Sequence, residues 1–439
     1  MPSALTKVGQ LCGEHCWPAG LLRHHDFRLV LSGQSISLIG TWMTRTAVSW
    51  LVFRLTGSAW LLGIVGFSGQ IPSLLLSPIT GVLADRWGRR YTLIVTQILS
   101  MLQVCALAAL AFSHVIAVWH IILLGVLRGI LNAFEAPARE TFVLDMVDRR
   151  EAIGEATAFN STLINIARLI GPPLAGMVIV SFGEGYCFLI DGVSYVPAIV
   201  CLCLVTGRTV RHKPRFGLVR EVVEDWKYAS QSPAIRSILA LLTLMSLAGM
   251  PYTVLMPIVA GSVLHGGPHA LGFLLGASGI GALAGAICLR GNCCHEPGKV
   301  ISAASVTFGG GVILFSMSRY IWPALGLMSI TSFALMQHLG ASNIALKLIA
   351  AEDKRGRVMS YFSMCFLGMT PFGTLLLGAC AQHFGAPQTL FCCGLICLGG
   401  GLLFASLSPL GYPAIDSPLP RPIPERGTRG RYASQPEGY

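Results

Sequence analysis

Long apolar runs alternate with short polar segments along almost the whole chain. Each run is close to the ~20 residues that an α-helix needs to cross the hydrocarbon core of a membrane. Backbone N–H and C=O groups must pair within the segment there, so each run predicts a helix. The predicted spans cover residues 29–53, 60–84, 91–112, 115–137, 156–182, 186–207, 236–260, 269–289, 299–318, 321–346, 358–384 and 387–408. The pattern therefore predicts an all-α membrane protein with twelve transmembrane helices.

The polar segments divide the twelve predicted spans into two sets of six. A weak internal repeat, residues 171–183 against 373–385, indicates that the two sets are copies of one unit. We predict an N-terminal segment (1–28), a first six-helix bundle (29–207), an inter-bundle loop (208–235), a second six-helix bundle (236–408) and a disordered tail (409–439). Two copies of a six-span unit place a substrate site at their interface, near the middle of the membrane.

The charged residues support this picture and give it an orientation. Only 12% of the residues are charged, against about 25% in soluble domains. The net charge of +11 is spread over short segments without a basic face or motif, so we expect no nucleic-acid partner. Nearly all lysines and arginines outside the spans fall on the side of the two termini, and such an excess marks the cytoplasmic side. Both termini are therefore expected in the cytoplasm.

One short polar segment concentrates charge between the second and third predicted spans. It reads GVLADRWGRR, from Gly81 to Arg90. Its charges must lie in water at the membrane surface, and its arginines favour the cytoplasmic surface. The candidate functional residues here are Gly81, Asp85, Arg86, Gly88, Arg89 and Arg90.

This segment and two others resemble motifs of the major facilitator superfamily. Gly81 to Arg90 is similar to the signature between its second and third helices, and Arg128-Gly129 is similar to its second motif. Residues 171–176, GPPLAG, resemble the motif associated with antiporters, with Gly171, Pro172, Pro173 and Gly176 as its candidate residues. Short phrases at 55–58, 135–139 and 354–360 resemble the enterobactin-exporter branch. The resemblance implies two pseudo-symmetric bundles in a bacterial inner membrane and export of siderophores or drugs.

The resemblance also implies a gate in the charged segment. The Asp85 carboxylate would accept hydrogen bonds from the start of span eleven, near Val358, since a helix N-terminus favours an anion. Arg89 would pair with an acid, and Glu135 is the nearest candidate in the sequence. The alternative is a solvated loop whose arginines only set topology. The corresponding second-half segment, which begins at Gly285, has no Asp-Arg pair.

Three arginines lie within predicted spans, where charge is costly and usually faces protein or water. In the superfamily, helices one, four, seven and ten line the cavity, which makes Arg45 and Arg128 cavity candidates, with Gln337 and His338 in span ten. Arg168 precedes the Gly-Pro-Pro motif and is expected to hold helices together. This basic interior favours an anionic or polyhydroxylated substrate. Alternatively, the arginines are satisfied internally, as Arg45 would be by Asp191.

The Gly171-Pro172-Pro173 motif lacks two backbone N–H groups and should bend span five. Its small residues allow another helix to approach closely. By resemblance, the motif seals the first half against ion leak and favours exchange. The alternative is a kinked helix that serves packing alone.

Energy coupling carries the weakest signal in the sequence. The chain has no P-loop, so we expect no ATP hydrolysis, no cofactor and no enzymatic activity. Proton antiport is the expectation from the family, and Asp191, Glu135 and His338 are the groups that could titrate. Two Cys/His groups, at 12–16 and 293–295, match no zinc spacing, so we expect no metal site.

The sequence leaves two classes of function open, a transporter and a non-transporting membrane protein. The leading prediction is a monomeric secondary-active exporter whose partners are a small organic substrate, protons and the lipid bilayer. The alternative within transporters is a multidrug efflux pump or an importer of the same fold. The alternative from another class is a non-transporting membrane sensor or scaffold.

Overall fold

The computed structural model describes residues 25–145, 152–204, 232–292, 296–352 and 354–407. These residues are almost entirely helical and contain no strand, which confirms the predicted all-α fold. The membrane-length segments are α1 (His25–Thr56), α2 (Ala59–Trp87), α3 (Arg89–Phe112), α4 (Val118–Asp145), α5 (Ala152–Phe182), α6 (Glu184–Leu204), α7 (Pro233–Val263), α8 (Gly267–Asn292), α9 (Pro297–Met317), α10 (Ile321–Ile349), α11 (Arg355–Phe384) and α12 (Ala386–Leu407).

Eleven of these segments are both long and apolar enough to cross a membrane, and α1 is the exception within the described residues. The α1 helix is 32 residues long, so its length is sufficient. Its composition differs because the first half carries polar side chains such as Gln34 and Ser37, both of which are buried in the protein. The predicted span 29–53 is therefore a helix whose polar face is covered by its neighbours.

Two of the segments depart from a regular α-helix. In α7, a π turn (Met245–Gly249) leads into a 3₁₀ stretch (Met250–Leu255), and a second π turn (Val259–Val263) ends the segment. Pro251 and Pro257 lie in this stretch and lack the N–H that a regular ladder requires. In α11, a π turn (Met364–Gly368) precedes Pro371.

Short connections make consecutive helices antiparallel and define two faces of the protein. We call the face on which α1 begins the N face, and the other the far face. Helices α1–α6 pack mainly with one another, as do α7–α12, and we call these two groups the first and second bundles. The bundles meet chiefly where α5 packs on α8 and where α2 packs on α11.

Glycines allow these two contacts to be close. At the α5–α8 contact, a Cβ added to Gly176 would lie 2.8 Å from the Pro268 carbonyl oxygen. At the α2–α11 contact, a Cβ on Gly378 would lie 2.8 Å from the Gly63 Cα. Small residues permit such approach because lipid offers no hydrophobic drive for helix association. Both contacts involve the helix halves nearer the far face.

Several sequence predictions fall outside the described residues. They include nearly all of the N-terminal segment, most of the inter-bundle loop, and the tail from residue 408. Both Cys/His groups, at 12–16 and 293–295, also fall there. The predicted domain boundaries and the prediction of no metal site therefore stay predictions.

Candidate functional site

A polar cavity lies between α1, α4 and the first half of α5, in the first bundle. Its volume is about 100 Å³. The predicted residues Arg45, Arg128 and Glu135 all line it. The other lining residues were not predicted from the sequence; they are Gln34, Ser37, Leu38, Thr41, Trp42, Gln97, Asn132, Arg139 and Ile164. The lining carries three arginines and one glutamate, so it is net cationic.

Glu135 is the centre of a buried ion network in this cavity. Its Oε2 lies 3.3 Å from Arg128 Nη1, and its Oε1 lies 3.5 Å from Arg139 Nη1. Gln97 Nε2 donates to Oε1 at 3.3 Å, and Arg128 Nη1 also donates to Ser100 Oγ. Hydrogen bonds that involve ionised partners are the stronger ones. The network therefore joins α3 and α4 and holds two guanidinium groups at the cavity wall.

These contacts correct the predicted partner of Arg89. We expected Glu135 to pair with it, but the ion pairs of Glu135 within the described residues are with Arg128 and Arg139. The reason is geometric: Arg139 follows Glu135 by one helical turn and Arg128 precedes it by two, so all three share a face of α4. Arg139 could have been found from this i, i+4 spacing.

Trp42 connects two further arginines. The Arg45 guanidinium lies 5.0 Å from the Trp42 ring centre, and the Arg168 guanidinium lies 5.8 Å from it. Both distances are within the range of cation–π attraction. No signal in the sequence separated Trp42 from the many apolar residues around it.

Arg168 reaches across to the second bundle. Its Nη2 donates to Ser278 Oγ on α8 at 3.1 Å. Ser278 in turn bonds with Ser332 on α10 at 2.7 Å, and the Tyr252 hydroxyl on α7 lies 3.0 Å from Ser332 Oγ. This chain of polar groups supports the expectation that Arg168 holds helices together.

Asp191 is buried where α6 packs against α1. The Ser194 hydroxyl lies 3.4 Å from its Oδ1, and the carboxylate packs against the backbone of α1 at Gly40. The ion pairs of the described residues do not include one between Arg45 and Asp191. Arg45 therefore contacts the Trp42 ring at the cavity and does not pair with Asp191.

The α10 residues Gln337 and His338 do not line this cavity, contrary to our expectation. Gln337 Nε2 donates to the Gly285 carbonyl on α8 at 3.2 Å. His338 is fully buried, with Nδ1 2.9 Å from Ser305 Oγ on α9. The sequence placed both residues on the lining helix, but their face of α10 turns into the second bundle.

The charged segment between α2 and α3 is described in part. Gly88 has φ 93°, a conformation that glycine adopts readily, and it links the two helices. Arg89 is buried at the start of α3. Arg90 Nε donates to the Leu202 carbonyl at 2.9 Å and its Nη2 to the Cys203 carbonyl at 2.7 Å, which satisfies the end of α6. Arg90 therefore does more than set topology.

The remaining residues of that segment lie in the last turns of α2. They are Gly81, Asp85 and Arg86, and their side-chain contacts lie outside the described part of the structure. The start of α11 is at Arg355, close to the Val358 position that we expected to meet Asp85. The contact between Asp85 and this helix end thus stays a prediction.

The Gly-Pro-Pro motif packs α5 against α8. A Cβ on Gly272 of α8 would fall within van der Waals overlap of the Pro172 carbonyl oxygen, and one on Gly276 would overlap the Pro173 ring. Gly171 packs on Trp42 of α1 in the same way. The motif thus lies where α1, α5 and α8 meet, between the cavity and the far face.

Comparisons with known proteins agree with this architecture. The family model described as "transmembrane secretion effector" matches residues 18–417. The staphyloferrin A transporter of Staphylococcus aureus is 28% identical over 84% of this chain and 93% of its own. The multidrug efflux pump Tap of Mycolicibacterium fortuitum is 25% identical over 84% and 92%, respectively. The crystal structure of the nucleoside transporter NupG has a TM-score of 0.67 at 14% identity, over 88% of this chain and 99% of that one.

Proposed function

Because the chain belongs to the transmembrane secretion effector family of the major facilitator superfamily, we propose that it is a transporter. We propose further that it exports a small anionic or polyhydroxylated organic molecule. A siderophore is the class of substrate that fits best. One relative is named as a siderophore transporter, the staphyloferrin A transporter. The transport cycle would be alternating access, in which movement of the two bundles against each other opens each face in turn, coupled to protons moving inward.

The observation that carries this proposal is the charge of the cavity wall. Three arginines, Arg45, Arg128 and Arg139, line the cavity together with a single carboxylate, Glu135, and only Arg128 and Arg139 pair with that carboxylate. Charges interact more strongly where surrounding protein and lipid lower the dielectric constant, so excess positive charge attracts anions and repels cations. A guanidinium group also matches the planar geometry of a carboxylate with two parallel hydrogen bonds. The site therefore suits a carboxylate-bearing substrate.

The direction of transport follows from the proposed orientation. We place the N face in the cytoplasm because lysine and arginine concentrate on that side. The cavity spans the middle of α1 and α4, with most of its lining residues on the N-face side, while the close α2–α11 and α5–α8 glycine contacts lie nearer the far face. This arrangement suits loading from the cytoplasm.

A phosphatase reporter fused after His114, between α3 and α4, tests this orientation. The reporter should be active if the far face is outside, and an inactive reporter would reverse the orientation.

Proton coupling is proposed to use a buried carboxylate. Glu135 and Asp191 are the two candidates in the first bundle, and both are buried. Glu135 is the better placed of the two, because it forms ion pairs with two arginines that would also contact the substrate. His338 is a weaker candidate, since it lies within the second bundle, away from the cavity.

The Arg128→Ala variant tests the proposal in cells. Deletion of the gene should abolish secretion of one anionic compound, measured by mass spectrometry of the medium. Wild type should restore the compound, and Arg128→Ala should restore less than a tenth of it. The control is Arg319→Ala, because Arg319 is exposed outside the cavity. Full restoration by Arg128→Ala, at equal amounts of protein in the membrane, would exclude the cavity from anion export.

Multidrug efflux is the second candidate, favoured by the 25% identity to the efflux pump Tap. The same strains distinguish it. If deletion raises sensitivity to several unrelated cationic drugs and leaves the secreted compounds unchanged, this candidate replaces the first. If neither a secreted compound nor drug sensitivity changes, both export candidates are wrong.

A further inference from the structure

The helices α2 and α11 run antiparallel across the boundary between the bundles, and at the far face the Gln382 side chain forms hydrogen bonds between them. Gln382, near the end of α11, accepts two hydrogen bonds through Oε1. The Ser58 hydroxyl donates one at 2.9 Å, and the Trp60 backbone N–H donates the other at 3.2 Å. Ser58 Oγ also accepts from the Leu61 N–H at 3.3 Å, so it serves as the cap of α2.

The contact supplies what the start of α2 lacks. The first N–H groups of a helix have no partner within the helix, and an oxygen placed there stabilises them. Here the oxygen belongs to the other bundle. The hydrogen bonds to Trp60 and Ser58 therefore exist only while the two bundles are together at the far face.

The end of α2 has the same pattern as the end of α11. Gln382 stands two residues before the last residue of α11, and Gly385 follows that helix with φ 86°. Asp85 stands two residues before the last residue of α2, and Gly88 follows with φ 93°. Each helix thus ends with a polar acceptor, then a glycine in the left-handed region. The two acceptors lie at opposite faces of the same antiparallel helix pair.

We propose that Gln382 is a positioning residue for the transport cycle, which holds the far face closed while the cavity is open at the N face. The proposal rests on alternating access, as given under the proposed function. Asp85 is the expected counterpart at the N face, so the two contacts would form in turn. A hydrogen bond from a helix N-terminus to an amide oxygen is weaker than one to a carboxylate oxygen, and the amide side chain does not titrate. Closure at the far face is therefore easier to release.

Hydrogen–deuterium exchange of the purified full-length protein tests this proposal without substrate. In Gln382→Ala, the peptide that contains Trp60 should exchange about two- to tenfold faster, which corresponds to one lost hydrogen bond. The start of α11, at the N face, should exchange more slowly in the same variant, because the population with that face closed increases. Gln382→Glu should shift both regions the other way, since a carboxylate favours a helix N-terminus.

The matched control is Gln388→Ala, an exposed glutamine at the same face on α12. It should exchange as wild type in both regions. Faster exchange at Trp60 without a change at the N face would mean a local cap, and the proposal would be wrong. Wild-type exchange in Gln382→Ala would also overturn it. Because no substrate is present, an error in the proposed substrate cannot cause either result, and Ser58→Ala provides a second variant if Gln382→Ala fails to fold.

Discussion

At the scale of single residues, Glu135 is a buried carboxylate that several donors contact at once. Three donors, from Arg128, Arg139 and Gln97, converge on its two oxygens. Removing one partner of a buried charge network costs more than the network contributes, because the remaining charges keep their desolvation without compensation. Glu135 therefore stabilises the fold as well as balancing the cavity charge.

We predict that Glu135→Gln lowers the free energy of unfolding by about 1.5–3 kcal/mol, the range for hydrogen bonds to charged groups. The measurement is the thermal unfolding midpoint of the detergent-solubilised protein. The control is Glu296→Gln, which breaks an exposed pair with Lys299 (2.6 Å) and should change stability by less than about 1 kcal/mol. Equal losses in the two variants would contradict a structural role for the cavity network.

The residues of this site differ in how visible they are in the sequence. Arg45, Arg128 and Glu135 stand out, because a charge in an apolar run is costly and needs a reason. Trp42 does not, since an aromatic residue in an apolar run is equally suited to lipid or core. His338 was misplaced for a different reason: its helix was expected at the cavity, but the rotation of that helix follows from packing with α9, which the sequence does not specify.

At the scale of elements, the helical spans could be predicted from the sequence, but their exact ends and their irregular turns could not. Run length alone indicates a membrane helix, yet α4 continues to Asp145 where the predicted span ended at 137, because a helix can extend beyond the lipid. The prolines of α7 signal a break. Whether π or 3₁₀ turns result depends on how neighbouring helices pair the freed carbonyls.

The α2–α11 contact gives an element-scale prediction. A Cβ at Gly378 would lie 2.8 Å from Gly63 Cα and 2.9 Å from the Ala59 carbonyl oxygen, so Gly378→Ala must push the two helices apart. We expect a loss of about 1–3 kcal/mol in stability from overpacking, measured by thermal unfolding. Gly399→Ala is the control: its Cβ would meet nothing within 4 Å, and alanine favours a helix by about 1 kcal/mol. Gly378→Ala with unchanged stability would show that the helices can separate freely.

At the scale of the whole molecule, the charge of the transported substrate determines how strongly the membrane potential drives transport. We propose that an anion enters the cationic cavity from the N face while the α5–α8 and α2–α11 contacts hold the bundles together nearer the far face. If that face is cytoplasmic, an exported anion moves from the negative to the positive side of the membrane. Each charge gains about 2.3 kcal/mol per 100 mV in doing so. A proton that moves inward in exchange adds one further charge to the same direction.

We therefore predict that export is strongly electrogenic. Proteoliposomes loaded with a labelled tricarboxylate, such as citrate, should release it faster when a potassium diffusion potential makes the lumen negative, if the N face is inside. A trivalent anion exchanged for one proton moves four charges, so 100 mV corresponds to about 9 kcal/mol of driving force. A cationic drug exchanged for one proton moves no net charge, and its efflux should not respond. Release of the tricarboxylate that is indifferent to the potential, while Arg128→Ala still abolishes it, would show electroneutral transport and would require three protons to accompany the anion.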